Sequence, residues 1–277
     1  MSDYKSILVH YDAGADAPQR LQAALEVAAT FKAHVACLYA LEQRPLPNAA
    51  FEARRQLLEA RERLQAEMLT AARNGYNACL RRTGYSDIEW RQSGEDALAA
   101  VPVHARYSDL LVIGQYNEDG MSGLGGDFQE RVPLLAGRPV LVVPHSYERK
   151  PIGGRIAIAW NASREAARAV SDALPLLKKA AIVKVAVFRP AGSGDHGEEP
   201  GADIATWLVR HGVKVDVSRH DVPDVDVGNQ LLSRVFDWQS DLIVMGAWGH
   251  SRASEFLLGG VTRTLLGSMT VPVLMAH

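Results

Sequence analysis

Ser240-Asp241-Leu242-Ile243-Val244-Met245-Gly246 repeats, almost residue for residue, the earlier stretch Ser108-Asp109-Leu110-Leu111-Val112-Ile113-Gly114. In both copies an acidic residue leads a short apolar run that ends on glycine, the pattern of a strand buried on both faces and followed by a tight turn. Working outward, Ile7-Leu8-Val9-His10-Tyr11-Asp12 matches Ile156-Ala157-Ile158-Ala159-Trp160-Asn161. A helical pattern follows each, with Leu21, Leu25 and Ala28 on one face in the first copy and Ala167, Val170, Leu174 and Leu177 in the second. Then come Val35-Ala36-Cys37-Leu38-Tyr39 and Val183-Lys184-Val185-Ala186-Val187-Phe188, read as strands. Each copy closes on a short apolar strand, Val140 to Val143 and Val273 to Met275. Asp109 lies thirty residues before Pro139 and Asp241 thirty-one before Pro272, which sets the register of two tandem copies.

Strands separated by helical stretches imply βα units, because parallel strands need long crossovers. The chain therefore reads as two tandem doubly wound α/β domains, residues 1–147 and 153–277, each with a mainly parallel sheet and helices on both faces. Residues 146–154, polar with Pro151 and a glycine pair, join them. The surplus length of the first copy falls in residues 48–74, where Glu52, Arg54, Arg55, Glu59, Arg61, Glu62 and Arg63 crowd strong helix formers. That stretch reads as a solvated helix, with a protein-docking surface as the alternative. Residues 190–201, rich in Gly and Pro, read as a plain connection, with a lid over the strand ends as the alternative.

Composition bounds the function. The chain has 277 residues, 47% of them hydrophobic and 22% charged, with a net charge of −2. No basic stripe is available to neutralise nucleic-acid phosphates, so a small ligand or a protein is the expected partner. No run approaches the ~18 apolar residues of a membrane span. The two cysteines, Cys37 and Cys79, form neither a disulfide framework nor a zinc site, and with the absence of a signal-peptide pattern they lead to an expectation of a cytoplasmic protein.

The chemistry concentrates at the last strand-to-helix junction, Met245-Gly246-Ala247-Trp248-Gly249, followed after nine residues by Gly259-Gly260-Val261-Thr262. Glycines there let an anion approach backbone N–H groups, and a helix start adds unpaired donors and a positive dipole end. The rival reading is that the glycines serve only tight turns and close helix packing.

These residues resemble the universal stress proteins, and among them the tandem members with two family domains in one chain. The resemblance covers nearly the whole sequence. It rests on the acidic or amide end of the first strand, the Ser-Asp-apolar-Gly strand, and the pattern G-x2-G-x9-G-[S/T] before the final Pro-Val strand. It implies five parallel strands per domain and an intrachain pseudo-dimer made by pairing the two final strands, which also removes two exposed edges. It further implies binding of ATP or another adenine nucleotide, with magnesium, in those members that bind one.

Carried over residue by residue, the C-terminal site comprises Ala159, Trp160, Asn161, Phe188, Met245, Gly246, Gly249, His250, Gly259, Gly260, Val261 and Thr262. Asn161 stands where binding members carry Asp, and Gly260 where they carry Ser or Thr; the first change loses an ionised acceptor, and the second loses a hydroxyl but keeps the backbone N–H, with Thr262 as a neighbouring hydroxyl. Trp160 and Phe188 offer an aromatic wall for a base. Trp248 covers the ligand or caps the core, and Arg263 reaches an anion or pairs with an acid such as Glu255.

The N-terminal copy has Asp12 but a damaged glycine turn, with Asn117 in place of the second glycine and seven residues rather than nine between it and Gly125-Gly126. Asp127 at the following helix start repels an anion. No triphosphate is expected there, although Asp12, Asp127 and the loop from Asn117 to Gly123 are candidates to hold a cation or another polar ligand. His145 and His277 end the two final strands and, on an antiparallel ladder, lie too far apart to share a metal.

No nucleophile elbow, Walker motif or paired acids suggest catalysis. The expected function is a regulatory protein that binds one adenine nucleotide in its C-terminal half, with a possible homodimer of pseudo-dimers. The alternatives are a nucleotide-free interaction module and, more weakly, a slow ATPase.

Overall fold

The computed structural model describes all residues except 1–2, 44–50, 118–123, 149, 191–200, 223–226 and 248–259. In the first copy β1 (Ser6–Tyr11), α1 (Ala17–Phe31), β2 (His34–Tyr39), α2 (Phe51–Thr83), β3 (Ile88–Gln92), α3 (Ala97–Ala105), β4 (Leu110–Gly114), α4 (Phe128–Leu135) and β5 (Val140–Val143) follow in order. The second copy repeats this as β6 (Arg155–Trp160), α5 (Arg164–Lys179), β7 (Ile182–Pro190), α6 (Ala202–Arg210), β8 (Val215–Val222), α7 (Val227–Asp237), β9 (Leu242–Gly246), α8 (Gly260–Ser268) and β10 (Val273–Ala276).

Among the described residues these strands form one ten-stranded sheet in the order β3-β2-β1-β4-β5-β10-β9-β6-β7-β8. Every pairing is parallel except the central one, where β5 and β10 run antiparallel with Val142 opposite Val273, Leu141 opposite Leu274 and Val140 opposite Met275. The final strands of the two domains therefore pair within the chain. Their apolar edges, fully buried here, would otherwise be open to association.

Alternate strand residues feed two cores. Ile7, Val9, Ile158 and Val244 pack under α1, α2, α5 and α6, while Leu8, Ile113, Ile243 and Met275 pack under α3, α4, α7 and α8. This two-sided burial explains why the strands read as continuous apolar runs rather than alternating ones. On α5 the buried face carries Ala166, Ala169, Val170, Ala173, Leu174 and Leu177. Ala167, assigned to that face from periodicity, is exposed instead. Ser163 caps α5, its Oγ accepting from Ala166 N at 3.1 Å, and this cap sets the phase of the helix.

The charged stretch does form a helix, and α2 continues to Thr83, 33 residues in all. Its N-terminal half is mostly solvated and carries the pairs Arg55–Glu52 and Arg63–Glu59, while Ala72, Tyr76 and Cys79 anchor its C-terminal half in the core. Such exposed pairs contribute little each; the buried half fixes the helix in place.

The repeated Ser-Asp pair has a structural use in both copies. Asp241 accepts from the backbone N–H groups of Gly153 (2.8 Å), Gly154 (3.0 Å) and Arg155 (3.0 Å), at the start of β6. Asp109 accepts from Lys5 N (2.7 Å) and Ser6 N (3.0 Å) at the start of β1. Each carboxylate clasps the domain's first strand to its fourth. The aspartate is therefore repeated for a mechanical reason and lies at the strand end away from the glycine turns.

Candidate functional site

The C-terminal candidate site lies at the carboxyl ends of β6, β7 and β9, where open α/β sheets bind ligands. Met245 (5% exposed), Phe188 and Ala247 are buried in one apolar cluster, with Ala159 and Val261 packed against it. Thr262 is buried in the first turn of α8. A Cβ placed on Gly260, the first residue of α8, would meet nothing within 4 Å among the described residues. Trp248, Gly249, His250, Glu255 and Gly259 lie outside the described residues, as does most of the 190–201 segment.

Two expectations change. Trp160 packs against the opposite core from Phe188, under α5 and α6, so the two aromatics flank the sheet and do not form a common wall. The cause is strand parity: Trp160 is in register with Val187, and Phe188 points to the other face. Gly246 is required by packing, since a Cβ there would lie 2.5 Å from Ala166 N and 2.7 Å from Glu165 C. The start of α5 rests directly on this glycine, whatever else it does.

Asn161 is exposed. Its Oδ1 accepts from Ser163 N at 3.1 Å, shaping the turn in which Ala162 adopts a left-handed φ of 56°. Arg263 is exposed, and its charge acts on Glu130 of the N-terminal domain, lowering a carboxyl that burial raises.

The N-terminal counterpart is filled by the protein's own side chains. Arg20 of α1, 4% exposed, donates through Nη2 to both oxygens of the buried Asp12 (3.1 and 3.2 Å). Its Nη1 donates to His10 Nδ1 at 3.0 Å. Because Arg can only donate, the His10 proton sits on Nε2 and is given to Ala40 O at 2.9 Å. Burial first, then Arg20, lowers the His10 pKa from 6.5 to about 4, against the raising influence of Asp12. The imidazole is neutral at ordinary pH.

Around this cluster each described glycine of the turn is covered. A Cβ on Gly114 would lie 3.1 Å from Arg20 Cζ, one on Gly126 3.3 Å from the Tyr116 ring, and one on Gly125 3.0 Å from Asp127 Oδ1. A cavity of about 30 Å³ is left between Asp12, Arg20, Gln115 and Phe128, room for water rather than a nucleotide. Asp12, a candidate to hold a cation, is already neutralised by Arg20, and Asp127 pairs with Arg131 at 3.2 Å. No cluster of three or more metal-ligating side chains occurs among the described residues. Residues 118–123 of the candidate loop lie outside them.

Sequence reasoning missed Arg20 and Gln115. Arg20 had a signal: it interrupts the inward stripe of Ala17, Leu21, Ala24 and Ala28, a position where a charge needs a buried partner. Gln115 had none. Its Nε2 donates to Leu266 O of the other domain at 2.8 Å, and its Oε1 accepts from His145 N and faces His145 Nδ1. His277 Nδ1 lies 3.1 Å from Ala247 O, so each terminal histidine braces the turn beyond its neighbouring strand. They stand at opposite ends of the β5–β10 ladder, as the antiparallel pairing requires.

With this geometry in view, the profile of the universal stress protein family matches residues 3–144 and again 154–277. The chain belongs to the universal stress protein family. It is a tandem member, one family domain on each side of the β5–β10 seam.

A universal stress protein from Archaeoglobus fulgidus superposes with a TM-score of 0.66 at 15% identity, over 98% of this chain and 95% of that one. A protein of unknown function from Pseudomonas aeruginosa gives 0.63 at 18% identity, over 99% and 92%. These likenesses establish the fold of the tandem universal stress proteins. A universal stress protein crystallised in complex with cAMP aligns with 52% of this chain and 99% of its own at 21% identity, with a TM-score of 0.37, too low to bear on the site. The curated proteins contain no match to the chain.

Proposed function

We propose that this universal stress protein is a regulatory protein of the stress response that takes one adenine nucleotide, ATP or a relative accompanied by magnesium, into its C-terminal domain and changes a surface when loaded. The observation that carries this reading is the asymmetry of the two glycine turns. In the N-terminal copy Arg20, Tyr116 and Asp127 press on Gly114, Gly126 and Gly125 and Asp12 is buried, whereas Asn161, at the place of Asp12, is exposed and a Cβ on Gly260 would meet none of the described residues. A helix start offers unpaired N–H donors and the positive end of the helix dipole to a phosphate. Beside it, Ala159, Phe188, Met245 and Val261 supply an apolar shelf suited to a base, and the exposed Asn161 amide keeps N–H donors. Gly249, His250 and Gly259 complete the proposed cradle.

Calorimetric titration with ATP and AMP, with mass spectrometry of the purified protein, tests the reading. Gly260→Asp adds a carboxylate whose Cβ meets none of the described residues, and is expected to weaken binding by about tenfold or more through repulsion at the helix start. No co-purifying nucleotide and no saturable binding at millimolar levels would refute the proposal. So would binding indifferent to Gly260→Asp.

A second reading, a nucleotide-free interaction module, is favoured by one observation: Leu57, Leu58 and Leu64 of α2 are 38%, 42% and 56% exposed. Under it, Leu64→Glu abolishes partner capture or self-association while Gly260→Asp has no effect.

A further inference from the structure

The N-terminal domain, whose glycine turn is closed, carries a second concavity elsewhere. Two adjoining cavities of about 230 and 460 Å³ lie between α2 and the edge strand β3, and both are walled by Leu69 and Gln92. One reaches to Tyr39, Leu41, Gln43 and Gln65; the other reaches to Arg73, Asn74 and Trp90. Neither is lined by a carboxylate, although α2 carries several on its solvated half.

Two features of this groove point to a ligand. Trp90 is part of an aromatic assembly, stacked on Tyr39 at 5.7 Å and met edge-on by Tyr76 at 5.0 Å and Tyr11 at 5.8 Å. Arg73 rests its guanidinium 4.8 Å from the Trp90 ring centre and makes no ion pair among the described residues, whereas Arg55 and Arg63 on the same helix do. An exposed guanidinium on an aromatic face, with amides beside it and no carboxylate in the lining of the groove, is arranged to receive an anion.

The groove belongs to one domain only. The strand registers put Val217 and Val187 at the places of Trp90 and Tyr39 in the C-terminal copy, and there the nine-residue α6 takes the place of the 33-residue α2. Long helix, aromatic assembly and unpaired cation occur together, on the domain that has filled its glycine turn with its own side chains.

We infer that the α2–β3 groove binds a small aromatic carboxylate, its ring against Leu69 and Trp90 and its carboxylate on Arg73. The chemistry of the walls selects this class: apolar surface for a flat ring, one cation for one negative charge, and amides in place of acids.

Calorimetric titration of the full chain with 4-hydroxyphenylacetate and indole-3-acetate, and with their neutral amides, tests it. Saturable binding of the acids is expected, with the amides about tenfold weaker for want of the charge-assisted bond. Arg73→Met, at an exposed position, should erase the difference between acid and amide while leaving the melting temperature unchanged. Leu69→Trp fills the groove and should abolish binding. Should that variant misfold, Gln92→Trp, at an exposed position walling both cavities, makes the same test. Gly260→Asp should leave acid binding untouched, which separates this site from the proposed nucleotide site. The inference is overturned if neither acid saturates by about 10 mM, a weaker affinity than a built site would give. It is equally overturned if binding persists unaltered in Arg73→Met and Gln92→Trp, or if acid and amide bind alike.

Discussion

Acidification from about pH 7 to about pH 4 should remove about 3 kcal/mol of stability through His10 alone. In the unfolded chain His10 takes up a proton near its ordinary value of 6.5; in the folded protein it waits until about 4. Between those values the unfolded state holds more protons, so stability falls as pH falls. Above the window both states are neutral at this residue, and below it both are charged, so the loss is confined to the window. The gap, at about 1.4 kcal/mol for each pH unit, amounts to about 3 kcal/mol. The cause is structural: Nδ1 is already committed to Arg20 at 3.0 Å, so a second proton would face a guanidinium inside a buried cluster. Urea unfolding across the window, compared between the wild type and His10→Gln, isolates the effect. The variant keeps a donor near Ala40 and cannot take up a proton. His34, raised mainly by its bond to Asp87, and His220, lowered by burial, titrate in both proteins and cancel in the difference. Wild-type and variant stabilities that run parallel through the window would refute the assignment of a neutral, Arg-bound His10.

Other outcomes follow from the same geometry. Gly246→Ala should destabilise the C-terminal domain by roughly 3 kcal/mol with or without nucleotide, because its Cβ meets α5 backbone at 2.5 Å, whereas Gly260→Ala should leave thermal stability unchanged or slightly raised. Asp241→Ala, which strands three backbone N–H groups, should cost about 3 kcal/mol in chemical denaturation, and Asp109→Ala, which strands two, somewhat less. Gln115→Ala removes a bond across the domain seam and the anchor of His145, and should lower stability by about 2 kcal/mol, with accelerated hydrogen exchange at His145 as its local signature.

Much of this molecule was legible from its residues. Ser108 to Gly114 and Ser240 to Gly246 locate the same strand in two copies, because a strand buried on both faces must be apolar at every position. From that register came the domain number, from the alternation of strands and helices came the mainly parallel sheets, and the pairing of Val140 to Val143 with Val273 to Met275 came with the family resemblance. The aspartate leading each copy was legible as a repeat, and its use as a clasp on the first strand appeared only with the fold.

The candidate site was legible only in outline. Sequence marks the glycines, Asn161 and Asp127, since those depend on residue type and spacing along one segment. It does not say which face of the sheet Trp160 and Phe188 occupy, because one residue of register decides it. Nor does it say that Gly246 lies under α5, that Arg20 folds back onto Asp12 and His10 across a turn, or that Gln115 crosses the domain seam. Those contacts join residues brought together by packing, and a local pattern carries no distance. What the sequence determined by itself is the doubled α/β plan and where each glycine turn falls. The tertiary structure decided that Arg20, Tyr116 and Asp127 fill the N-terminal turn and that α5 rests on Gly246, because that depends on what lies above each glycine.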